Sequence, residues 1–448
     1  MARMFGTDGV RGIANKELTA ELAFKLGRAG AYVLSQESNH KAKIIIGKDT
    51  RISGDMLESA LAAGICSIGA EVVLLGVIPT PAVAYLTRFY NADAGVVISA
   101  SHNPMEYNGI KFFSSDGFKL SDETEDKIES IIINEQQLEL PTGAGVGRIS
   151  HKTDAVSDYI SFAKSTVTSD LKGMKIAVDC ANGANSAIAP KVFEDLGATV
   201  FTVSNTPDGT NIIDNCGSTH LEGLRKFVVD SGADVGIAFD GDADRVLAVD
   251  ELGNVVDGDR IIAICALDMH NKGNLYDDTM VVTVMSNLGL KIMAQENGLS
   301  IKETKVGDRY VVEEMRNGGY SIGGEQSGHI ILPRFNTTGD GLITALQLLS
   351  VYKNSGKTMS QLASVMKVMP QVLVNAAVKR ENMEAYKEDP FIVAEIEKLN
   401  SEFEGRGRVL IRPSGTEALV RVMIEGEDRD FIEKRATELA QLLELKYN

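Results

Sequence analysis

The stretch GVVISASHNPMEYNGIKFF, residues 95–113, indicates how this chain is built. Its apolar run, residues 96–98, predicts a buried strand that stops at a small polar loop containing Ser101 and His102. A serine beside a histidine at the end of a buried strand is typical of a nucleophile. A solvated turn is the plainer interpretation, and this stretch alone leaves both open.

Size and composition narrow the classes of function. A chain of 448 residues is long enough for three or four domains of about 100–200 residues each. Its net charge of −17 argues against nucleic-acid and anionic-membrane partners, because both need basic surface. The four scattered cysteines favour reduced thiols, and neither a signal peptide nor a membrane span is predicted. We therefore expect a cytoplasmic protein, and an anionic small substrate fits only where Lys and Arg are concentrated locally.

Strands and helices alternate in three successive units of the same order: strand, helix, strand, helix, strand, polar loop. The loops are SASHNP, DGDADR and GEQSGH. This order predicts three similar α/β domains with mixed, mainly parallel sheets around a central cleft, since ligands bind at the carboxyl ends of parallel strands. A C-terminal α+β domain follows. The predicted domains are residues 1–154, 155–254, 255–368 and 372–448.

The second loop carries Asp240, Asp242 and Asp244 at alternate positions. Carboxylates held this close repel one another unless a cation joins them, and Mg²⁺ or Ca²⁺ is the natural occupant. An EF-hand is rejected, because Arg245 stands where its sharp turn requires Gly and the flanking segments predict strands. A solvated acidic turn is the alternative. Three Asp ligands suit Mg²⁺ in phosphoryl transfer.

Other loops suggest phosphate and sugar contacts. In RPSGTE, residues 412–417, a guanidinium, hydroxyls and a glycine can form an anion nest, although an ordinary turn is the alternative. Glu325 and Ser327 of the third loop suit sugar hydroxyls or an amine. GTDGVRG and GKDTR place cations among glycines, and their phosphate-binding candidates are Thr7, Arg11, Lys48 and Arg51.

Together, SASHNP, DGDADR, GEQSGH and RPSGTE resemble the α-D-phosphohexomutase superfamily, over the whole chain. The forms GTDGVRG, GEQSGH and KVGDRYV resemble the branch that acts on glucosamine phosphates. Relatives that act on glucose or mannose phosphates usually carry Met or another residue at Gln326. Ala418 is a small departure, since relatives often have Pro there, and it bears on the stiffness of that loop.

The resemblance implies interconversion of glucosamine 6-phosphate and glucosamine 1-phosphate, which feeds UDP-N-acetylglucosamine and cell-wall synthesis. Ser101 would carry a phosphoryl group, and the reaction would pass through a bisphosphorylated sugar. One Mg²⁺ per active site would be held by Ser101 and the three Asp, and glucose- or glucosamine-1,6-bisphosphate is the expected activator. Lys111, Arg245 and, less strongly, His102 are candidates for stabilising charge or moving protons. The candidates for substrate contacts are Glu325, Ser327, Arg412, Ser414, Gly415, Thr416 and Arg421.

The resemblance also implies a homodimer, and exclusion of water predicts closure of the last domain about a hinge near residues 369–371. The nearest rival is a phosphomannomutase or phosphoglucomutase of the same fold. A metal-dependent phosphatase would hydrolyse the serine phosphate, and a sugar-phosphate sensor would only bind. Ser101 and the three Asp argue against a sensor, because binding alone needs neither.

Overall fold

A computed structural model describes residues 3–6, 8–36, 40–403, 405–414 and 418–448. The chain forms two compact units. Unit 1 comprises Met1–Met285 and Leu299–Val365, and unit 2 comprises Ser286–Gly298 and Met366–Asn448. The stretch at residues 369–371, where a hinge is predicted, lies within unit 2, and the hinge stays a prediction.

The strands of both units follow one another along the chain as β1 (Val10–Ile13), β2 (Lys43–Lys48), β3 (Glu71–Val77), β4 (Ala94–Ile98), β5 (Tyr107–Ser114), β6 (Ile149–His151), β7 (Lys175–Asp179), β8 (Thr199–Val203), β9 (Val235–Phe239), β10 (Val246–Asp250), β11 (Val255–Val256), β12 (Thr279–Thr283), β13 (Ser300–Thr304), β14 (Gly323–Gly324), β15 (Ile330–Ile331), β16 (Gln371–Ala377), β17 (Gly407–Pro413) and β18 (Leu419–Gly426). The helices are α1 (Ala20–Ser35), α2 (Ser53–Ser67), α3 (Thr80–Phe89), α4 (Asp122–Ile133), α5 (Ala155–Ser165), α6 (Ala189–Asp195), α7 (Glu222–Ser231), α8 (Gly258–Asn271), α9 (Leu288–Glu296), α10 (Asp308–Gly318), α11 (Gly341–Ser355), α12 (Met359–Ala363), α13 (Pro390–Glu402) and α14 (Arg429–Tyr447).

The first sheet of unit 1 has six strands in the order β1-β5-β4-β2-β3-β6. In this spatial order, β4, β2, β3 and β6 pair in parallel with one another. Strand β5 is antiparallel to both β4 and β1. One face is covered by α1 and α2, which approach closely at Gly27, where a Cβ would lie 2.3 Å from the carbonyl oxygen of Leu61. Packing of Leu26, Leu57 and Ile46 fills the layer between these helices and the sheet.

Two further sheets of unit 1 repeat this plan. Their strand orders are β11-β10-β9-β7-β8 and β13-β12-β14-β15, with parallel pairs inside and an antiparallel pair where each polar loop leaves the sheet. The segments β2–β4, β7–β9 and β12–β14 each follow the order strand, helix, strand, helix, strand. Mixed, mainly parallel α/β sheets are therefore confirmed, and each predicted loop is the tip of an antiparallel pair.

The sheet of unit 2 is fully antiparallel, in the order β16-β18-β17, and its core joins Val422 and Ile424 to Ile432 and Leu439 of α14. The predicted C-terminal α+β arrangement is confirmed. In both units, no helix of the described residues is long and apolar enough to cross a membrane.

Candidate active site

The serine loop joins β4 to β5, and its backbone is held in an uncommon conformation. Ser101 has a φ of +52°, in the left-handed region, and only 1% of its surface is exposed. Such backbone costs on the order of 1–3 kcal/mol and persists where neighbouring contacts fix it. Here the Ser101 N–H donates to Ser99 Oγ at 2.9 Å, and Ser99 donates to Asp49 at 2.6 Å.

The buried side chain of Arg51 holds the serine loop in place through hydrogen bonds. Its guanidinium donates to Asp49 and to the carbonyl oxygens of Ser101, Asn103, Pro104 and Tyr107 at 2.6–3.1 Å. All five N–H groups of a guanidinium are thereby used. Arg51 therefore supports the serine loop, and a contact from Arg51 to phosphate stays a prediction.

Lys48, the other cation of GKDTR, is committed to neighbouring carboxylates. Its ammonium donates to Asp55 at 2.7 Å and to Glu58 at 2.6 Å. Burial by itself lowers the pKa of Lys48, but these two acids raise it above its usual value. Lys48 therefore forms ion pairs within its own domain, and its contact with phosphate stays a prediction.

The metal loop joins β9 to β10 and lies against the serine loop. Gly241 permits this approach, because a Cβ there would lie 2.5 Å from the carbonyl oxygen of Ser101. Ala243, with a φ of +56°, turns the loop so that Asp240, Asp242 and Asp244 converge. One ligand oxygen from each lies within 4.8 Å of the others, and all three residues are buried.

Ser101 and Lys111 tie the acidic cluster to the first domain. The Ser101 hydroxyl donates to Asp240 at 2.6 Å, and the Lys111 ammonium donates to Asp242 at 2.8 Å. Thr80, at the start of α3, also donates to Asp242, at 2.6 Å. Burial lowers the pKa of Lys111, but Asp242, Asp8 and Asp244 raise it overall, which keeps the ammonium charged.

The protein partners of the three carboxylates leave part of their negative charge and some of their oxygens unsatisfied. Burial and the charges of Asp244 and Asp242 raise the pKa of Asp240 well above its usual value. Asp242 Oδ1 and Asp244 Oδ1 are buried and make no hydrogen bond to any residue that the structure describes. Oxygen-only donors with free lone pairs at this separation fit a hard divalent cation such as Mg²⁺.

Arg245 and His102 lie beside Ser101. His102 Nδ1 is 3.4 Å from Ser101 Oγ and 3.0 Å from Arg245 Nη1, which donates to it. Burial and the charges of Arg245 and Arg11 lower the pKa of His102 to about 4. His102 is therefore neutral at pH 7, and Arg245 occupies the nitrogen that faces Ser101.

The sugar loop joins β14 to β15 and packs on the metal loop. The Val246 N–H donates to the Gly328 carbonyl at 3.1 Å, and buried His329 places Nδ1 3.6 Å from Asp244. Glu325 is partly buried and accepts from the Gly307 N–H at 3.0 Å through Oε1, while Ser327 is exposed. The side-chain amide of Gln326 donates to Asp257 at 3.3 Å.

The N-terminal loop brings a further cation to the serine loop. Arg11 donates to Asn103 Oδ1 at 2.9 Å and to Asp8 at 2.6 Å. Arg11 is thus placed beside the serine loop, and its contact with phosphate stays a prediction. Thr7 lies outside the described residues.

The phosphate hairpin of unit 2, formed by β17 and β18, gathers like charges. Arg412 and Arg421 face each other directly across the strand pair, and Ser414 is buried at its end. Burial and the charge of Arg421 lower the pKa of Arg412. Opposed like charges on paired strands are unfavourable alone, and a bound anion relieves them. Gly415 and Thr416 lie outside the described residues.

Several residues of the unit 1 site were not predicted. Thr80, Asp49 and Ser99 support the reactive loops through contacts that span many residues of sequence. His329 orients Asp244 and accepts from the Gly339 N–H at 3.2 Å. Its position at the end of GEQSGH was the one available signal, and that signal fitted a structural histidine equally well.

Sequence families described as phosphoglucomutase/phosphomannomutase match the chain in four consecutive parts. The alpha/beta/alpha domains I, II and III match residues 2–139, 157–253 and 257–369, and the C-terminal domain matches residues 373–442. The matches follow the order of the serine, metal, sugar and phosphate motifs. The limits of the domains predicted from sequence stay predictions.

Similar proteins extend over the full chain. Phosphoglucosamine mutase of Acetivibrio thermocellus is 62% identical over 445 residues, 99% of each chain, and that of Clostridium acetobutylicum is 61% identical over 449 residues, all of each chain. Among solved structures, a phosphoglucomutase/phosphomannomutase family protein from Burkholderia thailandensis has a TM-score of 0.80 at 23% identity, covering 98% of both chains. Aspergillus fumigatus N-acetylphosphoglucosamine mutase, solved with GlcNAc-6P and magnesium, has a TM-score of 0.69 at 19% identity, covering 99% of this chain and 96% of that one. These two structures share the fold. The chain therefore belongs to the α-D-phosphohexomutase superfamily of enzymes, in the phosphoglucosamine mutase family, as its four motifs indicate.

Proposed function

We propose that this protein interconverts glucosamine 6-phosphate and glucosamine 1-phosphate through a phosphorylated Ser101. The observation that carries the proposal is the 2.6 Å hydrogen bond from buried Ser101 to Asp240, inside a cluster of three carboxylates. A serine in that position is useful as a phosphoryl carrier, because a cation on the carboxylates also neutralises the phosphate. The names of relatives about 60% identical over the full chain support the choice of substrate.

The phosphoryl group moves twice in each turnover. First, the P–O bond to Ser101 Oγ breaks and a P–O bond forms to the C1 oxygen of glucosamine 6-phosphate, and the proton of the C1 hydroxyl replaces the phosphoryl group on Ser101 Oγ. The bisphosphorylated sugar then turns over, the bond between its C6 oxygen and phosphorus breaks, the P–O bond to Ser101 Oγ forms again, and the serine proton passes to the C6 oxygen. Lys111 and Arg245 supply fixed positive charge beside the transferring group, which stabilises charge that develops in the transition state.

Ser101, Asp240, Asp242 and Asp244 are the residues that would hold Mg²⁺. When bound, the ion neutralises charge on the phosphoryl group and polarises it toward attack. The unsatisfied oxygens Asp242 Oδ1 and Asp244 Oδ1 fit this role. Glucose- or glucosamine-1,6-bisphosphate serves as the activator that first phosphorylates Ser101.

Two surfaces would recognise the sugar and its second phosphate. Glu325 Oε2 accepts from the Ser327 hydroxyl at 3.5 Å, and the same oxygen can also accept from the C2 ammonium of glucosamine. In unit 2, Arg412, Ser414 and Arg421 would bind the phosphate that is not transferred, because opposed guanidiniums favour a dianion. Gly415 and Thr416 are proposed partners of the same phosphate.

The test is an assay of purified, phosphorylated protein with Mg²⁺ and the 6-phosphates of glucosamine, glucose and mannose. Phosphorus NMR then follows formation of each 1-phosphate. We expect turnover of glucosamine 6-phosphate to exceed the others by at least tenfold. Equal or faster turnover of glucose 6-phosphate would overturn the amino-sugar assignment in favour of a phosphoglucomutase or phosphomannomutase. Release of free phosphate without a 1-phosphate product would indicate a phosphatase.

A matched variant tests the substrate contact. Glu325→Gln keeps the shape and the bond from Gly307 but removes the charge. We expect the preference for glucosamine over glucose phosphate to fall about tenfold, the effect of losing about 1.4 kcal/mol of differential binding. The control is Glu313→Gln on the outer side of α10, which should leave the preference unchanged. An unchanged preference in Glu325→Gln would show that Glu325 does not determine specificity.

A further inference from the structure

Lys119 occupies a position that the proposed reaction does not explain. It follows β5, and its backbone is bridged to Phe113 of that strand. The ammonium donates to Asp8 at 2.5 Å and to Asp308 at 2.6 Å, and 14% of the side chain is exposed. One lysine thus joins the N-terminal loop to the first residue of α10.

Both carboxylates, Asp8 and Asp308, are connected to the reactive loops through further contacts. The second oxygen of Asp8 accepts from Arg11 at 2.6 Å, and Arg11 donates to Asn103 in the serine loop at 2.9 Å. Asp308 Oδ2 also lies 3.5 Å from His329 Nε2, and His329 contacts Asp244. From the same helix start, the Gly307 N–H donates to Glu325 of the sugar loop at 3.0 Å.

The charges explain why a cation is needed here. Asp8 and Asp308 both reach the same ammonium, so without it two partly buried carboxylates would repel each other across a few ångströms. Burial raises the pKa of Asp8, but Lys119, Lys111 and Arg11 lower it well below its usual value. Without Lys119, Asp8 would depend more strongly on Arg11 and would draw that guanidinium away from Asn103.

We propose that Lys119 is a positioning residue for phosphoryl transfer, which holds Asp8 and Asp308 together and thereby fixes Arg11 at the serine loop. It does not touch the reacting atoms. Misplacing a charge-stabilising group by about 1 Å can lower a rate on the order of 100-fold. The inference rests on the proposed function, because it concerns transfer to and from Ser101.

The experiment measures single-turnover transfer from glucose 1,6-bisphosphate to dephosphorylated Ser101 by intact mass, in the full-length protein. The variants are Lys119→Met, which removes the charge, Lys119→Arg, which keeps it, and the control Lys127→Met on α4, where the lysine is 61% exposed. We expect Lys119→Met to lower the transfer rate about 10- to 100-fold, Lys119→Arg to recover to within about threefold, and the control to match the parent.

A double-variant cycle separates positioning from a purely structural role. If Lys119 acts through Asp8, Lys119→Met adds little further loss in an Asp8→Asn background, and rates are corrected for the folded fraction. Additive losses, or a Lys119→Met rate within threefold of the parent, would overturn the inference. Should Lys119→Met fail to fold, Asp308→Asn carries the same test, because it frees Lys119 from one partner and keeps the charge. Failure of the parent protein to accept a phosphoryl group would instead reject the proposed function.

Discussion

The metal loop of unit 1 and the phosphate hairpin of unit 2 both concentrate charge of one sign. In the metal loop, three buried carboxylates are already tied to Ser101, Lys111, Thr80 and His329. In the hairpin, Arg412 and Arg421 face each other on paired strands and are only partly buried. The first site is held by protein contacts before any ligand arrives, whereas the second opposes two like charges on neighbouring strands.

This difference teaches that the same kind of substitution should act differently in the two places. Removing a charge from the metal loop also removes a partner from Lys111 or His329, so activity and structure suffer together. Removing a charge from the hairpin relieves repulsion, so binding suffers while stability does not. The predictions that follow test this contrast.

The largest effect is expected at Ser101. Ser101→Ala removes the phosphoryl acceptor, so turnover should fall by about 10⁴-fold or more, and no phosphorylated protein should form. The matched variant Ser99→Ala keeps the acceptor but removes its backbone support, and we expect about a tenfold loss. Intact mass after incubation with the bisphosphate, together with the mutase assay, gives both results. Retained activity in Ser101→Ala would refute the mechanism.

The next effect concerns the metal. Asp244→Asn removes a carboxylate from the cluster and a partner from His329, so the concentration of Mg²⁺ that gives half-maximal activity should rise about 10- to 100-fold. Chelation of the metal should abolish transfer in the parent protein. Activity titrated against Mg²⁺ measures both, and Asp230→Asn, at an exposed residue of α7, is the control. An unchanged requirement for Mg²⁺ would exclude Asp244 as a ligand.

A smaller effect, of opposite character, is expected in unit 2. Arg412→Met should raise KM for the sugar phosphate about tenfold, with kcat less affected, because a charged contact to phosphate is lost. Stability should not fall, since removal of one of two opposed charges gains roughly 0.2–1 kcal/mol. Steady-state kinetics and thermal unfolding test the pair of outcomes. A loss of stability that accompanies the rise in KM would contradict the contrast between the units. The control is Arg406→Met, at a side chain that is 74% exposed.

The smallest effect on activity is expected inside unit 2. Asn287 accepts from the Met369 and Gly289 N–H groups and donates to the Met369 carbonyl and Glu425, all at 2.9–3.1 Å. Asn287→Ala should therefore destabilise unit 2 by about 2–3 kcal/mol, because buried partners lose their bonds. Amide exchange in β16–β18 should quicken accordingly. Exposed Asn297→Ala should leave it unchanged, and equal exchange in both variants would contradict this role.

The meeting of the serine and metal loops could be predicted from sequence, for a physical reason. DGDADR and SASHNP carry their chemistry within a few consecutive residues, so their meeting follows once both are placed at strand ends. The contacts of Arg51 with the serine loop could not be predicted, because four of its five acceptors are backbone carbonyls, which no residue pattern reveals. Thr80 was missed because its hydrogen bond to Asp242 depends on how two domains pack. The roles of the remaining site residues stay predictions that the experiments above address.

The contact from Thr80 to Asp242 crosses 162 residues of sequence, and that from Ser101 to Asp240 crosses 139. Contacts of such length form late in folding, after each domain has collapsed on its own local pairs. The metal cluster is therefore a reporter of domain docking. During refolding, recovery of Mg²⁺-dependent phosphoryl transfer should lag behind recovery of secondary structure, and the lag sets an upper limit on the time that the first two domains take to assemble.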